Sequence, residues 1–291
     1  MNVWPKISIV TPSLNQAAFL QETIDSVLGQ NYPQLEYIII DGGSTDGSSE
    51  IIRPHEKHLT YWQSRPDGGQ ADAIAQGFRR ATGDILAWIN SDDFYLPGAL
   101  RHVARQMDPA RPQLLFGNCF HFEEGSSRGN PSDVILKHAG HRLDLIDYLI
   151  QPSTFWTRRL ADKLGELNPH FHYVFDWDWY IRAQKAGADF LPSPRYLSAY
   201  RLHPLHKSAQ GGEKRSQEIR EIYSRYQSPE ILAAVDVCRA HYSRLDRWRR
   251  RFRRWPLFKK SSPESFLRRF PIPVLKILRP EDLRDILDMN A

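Results

Sequence analysis

The four residues Asn90-Ser91-Asp92-Asp93 follow a continuous apolar run at 84–89. Adjacent carboxylates at the end of a buried strand supply hard oxygen ligands for Mg²⁺ or Mn²⁺, with phosphate oxygens and water completing the shell. Such a cation neutralises charge on a departing diphosphate; the plain alternative is a solvated turn that caps a helix. In Asp41-Gly42-Gly43-Ser44-Thr45-Asp46-Gly47-Ser48 the glycines permit close backbone approach. Asp41 there could accept hydrogen bonds from a ribose or base, whereas Asp46 reads as an Asx cap. Asp176 and Asp178 stand in the first turn of a helix, where the dipole favours the ionised carboxylate. One of them could act as general base on an acceptor hydroxyl, or both could simply cap. Asp178 and Arg182 have i,i+4 spacing, which leaves Asp176 for chemistry. The stretch 201–208 brings Arg201, His203 and Lys207 together: an imidazole to ligate a metal and cations to hold a diphosphate. A histidine in a loop is otherwise an ordinary surface residue.

Periodicity places these residues on elements. Apolar runs predict strands at 6–11, 36–40, 60–63, 84–89 and 114–122. Helical spacing predicts helices at 19–29, at 70–81 closed by Gly83, from Pro97 to 107, and around 141–150, 157–164 and 176–186. Strand–helix alternation predicts a parallel sheet covered on both faces. Ligands bind such sheets beyond the carboxyl ends of the strands, where the loops at 11–15, 41–46 and 90–93 must then cluster. The first loop, Thr11-Pro12-Ser13-Leu14-Asn15, has no glycine. It matches neither a dinucleotide fingerprint nor a phosphate-binding P-loop, which disfavours a hydride-transfer enzyme or an ATPase.

The 291 residues are 41% hydrophobic and 25% charged, the composition of a globular protein rather than a disordered one. Two distant cysteines, Cys119 and Cys238, argue against a disulfide scaffold and for a reducing, cytoplasmic setting. Neither a signal peptide nor an apolar stretch of membrane-spanning length is expected. The net charge of +5 is unevenly spread: His241 to Pro280 carries thirteen Lys/Arg against two acids, so the remainder is acidic. There Trp248, Phe252, Trp255 and Phe258 alternate with arginines, and an apolar segment at 271–278 follows. A helix of this kind suits the inner face of an anionic membrane through residues 244–278. Packing against the rest of the protein or another subunit is the alternative reading. No nucleic-acid motif accompanies it, and no nucleic acid is expected.

Taken in order, the motifs at 8–15, 40–48, 66–70 and 90–93, then Gln151-Pro152-Ser153-Thr154-Phe155, Asp176-Trp177-Asp178 and 201–208, strongly resemble the family 2 glycosyltransferases. The resemblance covers roughly residues 5–210. It implies an α/β GT-A fold, Rossmann-like, with a mixed, mainly parallel sheet, helices on both faces and a helical C-terminal extension. Residues 1–210 would form the catalytic domain, with nucleotide-sugar binding in 1–110 and the acceptor half in 111–210, and 211–291 the extension. The implied reaction is an inverting transfer from a nucleotide-diphosphate donor, a UDP-sugar, to a glycan or lipid-linked acceptor in polysaccharide or oligosaccharide assembly. Thr11, Pro12, Asn15, Asp41 and Asp67 match nucleoside- and donor-contacting positions, joined by Ser91, Asp92, Arg201 and Lys207. Asp92, Asp93 and His203 match metal positions, Asp176 the general base, and Gln151, Trp156 and Asp178 the acceptor side. Two departures stand out: Asn90 replaces the aspartate that usually opens the metal motif, and Phe175 replaces the glutamate before the base. A sugar nucleotidyltransferase would need a glycine-rich basic loop after the first strand. A decayed binding module would show no metal-dependent binding of nucleotide diphosphates.

Overall fold

Ile7, Ile9 and Val10 are fully buried because β1 (Ile7–Ser13) lies between two parallel neighbours, β2 (Leu35–Asp41) and β4 (Ile85–Trp88). A strand covered on both faces is mostly apolar, the buried Ser8 and Thr11 of β1 being hydrogen-bonded to Glu36 and Tyr37, and the run Ile38-Ile39-Ile40 of β2 meets the same demand. The computed structural model describes residues 4–123, 129–132, 138, 140–203, 206–207, 211–253, 264 and 278–289. The chain divides into two units, Met1–Ile135 with Leu149–Gln210, and Leu136–Tyr148 with Gly211–Ala291.

In the first unit, β3 (Tyr61–Ser64) extends the parallel set beyond β2. On the other side β4 pairs antiparallel with β8 (Thr154–Thr157), and β8 with β6 (Gln113–Glu123). The long β9 (Asp189–Leu202) runs parallel to β6, and the two-residue β5 (Phe94–Tyr95) closes the order β3-β2-β1-β4-β8-β6-β9-β5. A short β7 (Gly129–Pro131) pairs with β6. The sheet is thus mixed and mainly parallel, as expected. Its helices are α1 (Ala17–Leu28), α2 (Ser48–Ile52), α3 (Gln70–Arg80), α4 (Ala99–Gln106), α5 (Arg158–Leu164) and α6 (Phe175–Lys185).

Alternation along the strands sorts the two faces. Ile7, Ile9, Tyr37, Ile39, Ile85 and Ala87 share a core with Leu20, Ile24 and Val27 of α1 and Leu100 and Val103 of α4. Each such aliphatic side chain contributes about 1.5–3 kcal/mol of burial. Val10 faces the opposite way, against Gly77 of α3. Trp88 and Trp156 lie with their ring centroids 5.3 Å apart, and Phe78, Phe175 and Trp179 close around them.

Several expectations need correction. Residues 141–150 form no helix beyond a single turn at 143–145. Leu143 and Leu145 are buried there, so their spacing records burial of an irregular segment. Gly83 does not cap α3, which ends in an extended Ala81. It is required because a Cβ would stand 2.4 Å from Ser8 Oγ. Helix α4 starts two residues after Pro97, since Gly98 takes φ +79° before it. Strands β5, β8 and β9 were not anticipated; β5 and β8 are too short to show a period.

From Gly211 on, the second unit's described elements are helices: α7 (Gly212–Tyr226), α8 (Pro229–Ala240), α9 (Tyr242–Arg253) and α10 (Pro280–Met289). Ser228 caps α8 by accepting from the Ile231 amide, with Pro229 in the first turn. Tyr223 donates to the Leu145 carbonyl at 2.6 Å, and Asp285 accepts from His141 and the Arg142 amide, which ties the irregular segment to the bundle. Among the described residues no helix is long and apolar enough to cross a membrane.

Candidate active site

Parallel register brings the strand ends together: Ser13 sits opposite Asp41, and Asp41 opposite Ser64. The loops that follow are laced to one another. Asn15, at φ +52°, accepts from the Thr45 amide at 2.9 Å, while its own amide donates to Ser44 Oγ at 2.7 Å. Asp46 accepts from Ser48 and also from the Ala17 amide, so one carboxylate serves the starts of both α1 and α2. Burial opposes its charge, but these donors hold its pKa below the usual carboxylate range.

Beyond these ends lies a pocket of about 390 Å³, lined among the described residues by parts of the loops at 12–16, 67–73 and 88–92, by Gln151, by 172–176 and by Tyr200, His206 and Lys207. This size suits a small-molecule ligand. Pro12, Asp67, Ser91, Asp92, Gln151, Asp176 and Lys207 all stand on its wall. Asp67 is held above the usual carboxylate range by burial and by the nearby Asp72 and Asp41, even though the Gly69 amide donates to it. Asp176 is half-buried in the first turn of α6.

Asn15 is exposed outside the pocket lining, and the other expected residues lie behind this wall. Thr11 is fully buried with its hydroxyl 3.0 Å from Tyr37 Oη. Asp41 is likewise buried and accepts from Gly43, Ser44 and Ser64. Its carboxylate faces its own turn. Trp156 belongs to the aromatic core. Asp178 is buried in its ion pair with Arg182, whose remaining nitrogens bond the Leu164 and Glu166 carbonyls.

The acidic pair splits. Asp92 faces the pocket and meets His203 Nε2 at 3.1 Å. Asp93 turns inward with 1% exposure and accepts from the Arg201 amide at 3.0 Å. Burial first, and the neighbouring Asp92 second, push the Asp93 carboxyl well above the usual range. Two carboxylates facing one cation are therefore not what this loop presents: the turn closed by the Asp93 amide on the Asn90 carbonyl at 3.1 Å directs Asp92 outward and Asp93 inward. Arg201 is also enclosed: its guanidinium pairs with Glu22, donates to the Asp92 carbonyl, and lies over the rings of Phe19 and Phe122. It braces the acidic loop from behind.

No group of three or more metal-ligating side chains occurs among the described residues. The donor set suits a cation in a more modest way, since the pocket-lining Asp92 is backed by the imidazole of His203, a buried side chain 3.1 Å from it that does not itself line the pocket. Gln70, His172, Tyr173 and His206 were not singled out from the sequence, yet all line the pocket. His206 Nδ1 lies 2.6 Å from the His203 carbonyl, to which it must donate. The placement of Gln70 at the first residue of α3, after Asp67-Gly68-Gly69, was the available signal.

An α/β sheet with its pocket over the strand ends and an acidic turn after β4 is the architecture of the GT-A fold. The likeness extends to Staphylococcus aureus TarS, solved as residues 1–349 with UDP-GlcNAc, at a TM-score of 0.63 and 14% identity, covering 98% of this chain and 90% of that one. The mannosyltransferase PcManGT of Pyrobaculum calidifontis, solved with GDP-Man and Mn²⁺, aligns at a TM-score of 0.54 and 16% identity, covering 99% and 74%. Residues 8–175 match the model of Glycosyl transferase family 2, and the chain belongs to that family. An uncharacterized glycosyltransferase of Mycobacterium tuberculosis, Rv1514c, is 43% identical over 90 residues, 31% of this chain and 34% of that relative. The chain thus spans about a third of that relative's length. A PGL/p-HBAD biosynthesis glycosyltransferase of Mycobacterium bovis is 29% identical over 183 residues, 61% of this chain and 69% of the relative. Family membership sets the nucleotidyltransferase reading aside.

Proposed function

We propose that this glycosyltransferase moves a sugar from a UDP-sugar to an acceptor hydroxyl with inversion, Asp176 acting as the base. The observation that carries this is the presence of Asp92, Asp176 and Lys207 on the wall of one pocket. TarS, which shares the fold, was solved with UDP-GlcNAc, and that supports the donor class. Asp67, Pro12 and Ser91 would position the nucleoside side, and Gln151 the opposite wall.

Mn²⁺ or Mg²⁺, the metal found with PcManGT being Mn²⁺, would be held by Asp92 and His203 and would supply electrostatic stabilisation of the diphosphate. Lys207 adds a donor-only cation on the same wall. Asp176 takes the acceptor proton as the acceptor oxygen attacks the anomeric carbon from the face opposite the departing UDP. One carboxylate suffices when the leaving group is stabilised by cations, unlike the paired acids of glycoside hydrolysis. The mycobacterial relative named for PGL/p-HBAD biosynthesis supports a biosynthetic role on a glycan or lipid-linked acceptor.

Such an acceptor fits the charge of α9. Arg244, Arg247, Trp248 and Arg251 are exposed and recur at i, i+3, i+4 and i+7, one face of the helix. Leu245, Asp246 and Arg249 are turned inward, Arg249 pairing with Asp288 at 2.5 Å. Peripheral attachment to the cytoplasmic face of an anionic membrane is the reading this face supports. Trp255, Phe258 and 271–277 lie outside the described residues.

The test of the chemistry is Asp176→Asn, assayed for UDP-sugar turnover with Mn²⁺ and for UDP binding by calorimetry. Turnover is expected to fall about 10²–10⁴-fold with binding retained. Unchanged turnover would eliminate Asp176 as the base, and a wild-type protein that binds no nucleotide diphosphate would make the chain a decayed module.

A further inference from the structure

The side chain that replaces the usual aspartate is not idle. Lys207 Nζ donates to Gln70 Oε1 at 2.7 Å, and Gln70 Nε2 donates to Asn90 Oδ1 at 2.7 Å. Asn90 Nδ2 donates to Gln151 Oε1 at 3.2 Å, and Gln151 Nε2 to the Trp88 carbonyl at 2.8 Å. Both ends of this chain are chemically unambiguous: an ammonium only donates and a carbonyl only accepts. Every amide between them is therefore held in one orientation, and none can flip alone.

We infer that Asn90 is a positioning residue, not a weakened metal ligand: through Gln70 it fixes the Lys207 ammonium on the pocket wall, and the site is built for an amide at position 90. This rests on the reading that a nucleotide diphosphate occupies the pocket. A carboxylate at 90 has no proton to give Gln151. Gln151 would then either present its own carbonyl oxygen to that carboxylate or flip and present it to the Trp88 carbonyl. Either arrangement sets two acceptors face to face at a buried residue, since Gln151 is only 9% exposed. A carboxylate keeps an oxygen for Gln70 Nε2, so the disturbance reaches Lys207 by turning the side chain at 90 away from Gln151 and with it from Gln70. The other side of the ammonium is set by aromatic faces, with Lys207 Nζ 5.4 Å from the Phe175 ring centroid and 5.6 Å from that of Tyr173. Phe175, the second departure from the family pattern, thereby joins the first in a single device. Asn90 and Phe175 together hold a fixed cation on the same wall as Asp92.

The experiment measures UDP affinity by calorimetry on the full chain, in EDTA and in Mn²⁺, together with Mn²⁺ affinity and thermal stability. The proteins are wild type, Asn90→Asp, Gln70→Ala, Lys207→Met and the two doubles carrying Lys207→Met. Asn90→Asp and Gln70→Ala should each weaken UDP binding in EDTA about tenfold, and neither should weaken it further in the Lys207→Met background. Asn90→Asp should leave Mn²⁺ affinity no tighter than wild type. Tighter Mn²⁺ and UDP binding in Asn90→Asp would make position 90 a metal position that merely lacks charge. A full loss persisting without Lys207 would mean direct repulsion of the phosphates. Either result overturns the inference. If Asn90→Asp does not fold, Gln70→Ala decides the matter by the same comparison. A wild type that binds no UDP sinks the nucleotide reading and this inference with it, whereas binding indifferent to Asn90 and Gln70 sinks this inference alone.

Discussion

Glu36 shows what a single side chain does for the frame behind the site. It is 6% exposed and accepts from Ser8 Oγ at 2.5 Å, the Thr82 amide at 2.6 Å and Thr82 Oγ1 at 2.8 Å. Burial opposes its charge, but these donors and Lys6 outweigh it and hold the carboxyl below its ordinary value. A depressed folded pKa contributes stability that is present above the unfolded value and lost as pH falls through the folded one. Glu36→Gln is therefore expected to cost about 1–3 kcal/mol at pH 7, with the difference in melting temperature from wild type narrowing below about pH 4.5. A gap that stays constant down to pH 3 would show that the ionised carboxylate is not what holds the turn. Asp92 and Asp93 make the complementary point: neighbouring carboxylates of identical chemistry are separated into a pocket residue and a buried one by the turn at 90–93 and by their partners, His203 for one and the Arg201 amide for the other.

At the scale of elements, the position of α3 decides where Gln70 and Asp67 stand. The helix lies directly on β1 because residue 77 is glycine; a Cβ there would meet Val10 Cγ1 at 2.4 Å. Gly77→Ala must push α3 off the sheet or rotate Val10, at a cost of about 1–3 kcal/mol. Because α3 carries Gln70, the link between Lys207 and Asn90, UDP affinity should fall along with the melting temperature. Retained stability and affinity would show that Val10 yields without moving the helix. On the other side of the pocket, the Asp178–Arg182 pair secures α6 to the carbonyls at Leu164 and Glu166, so the turn bearing Asp176 is anchored by residues that never reach the pocket.

At the scale of the whole molecule, the charge asymmetry predicts a surface activity separable from catalysis. Basic residues near an anionic membrane contribute about 1 kcal/mol each. Replacing Arg244, Arg247 and Arg251 by Gln should weaken cosedimentation with phosphatidylglycerol vesicles on the order of a hundredfold, while turnover of a soluble acceptor is retained. Equal binding of both proteins, or binding to neutral phosphatidylcholine alone, would remove the membrane from the proposal. Arg249 is left untouched in this variant because its pairing with Asp246 and Asp288 belongs to the fold of its unit.

The α/β class, the parallel run of four strands and two of the pocket's loops, at 11–15 and 90–93, were legible in the residues themselves, whereas the loop at 41–46 does not reach the pocket. Burial on both faces of a central strand leaves a continuous apolar run, and the polar loops must then follow the strand ends. The seven ordered motifs likewise carried the family. Fine placement was not legible. Nothing local distinguishes Asp92 from Asp93, or tells that Asp41 spends its oxygens on its own turn, because those outcomes depend on backbone direction and on partners far away in sequence. Arg201 and Lys207, six residues apart, were equivalent cations on paper. Contacts with Glu22 and three aromatic rings enclosed one, and a hydrogen bond to a residue 137 positions earlier brought the other to the pocket wall. Local pattern determines which elements form, since burial periodicity is a property of neighbours. Long-range packing alone decides which side chains those elements turn toward a ligand.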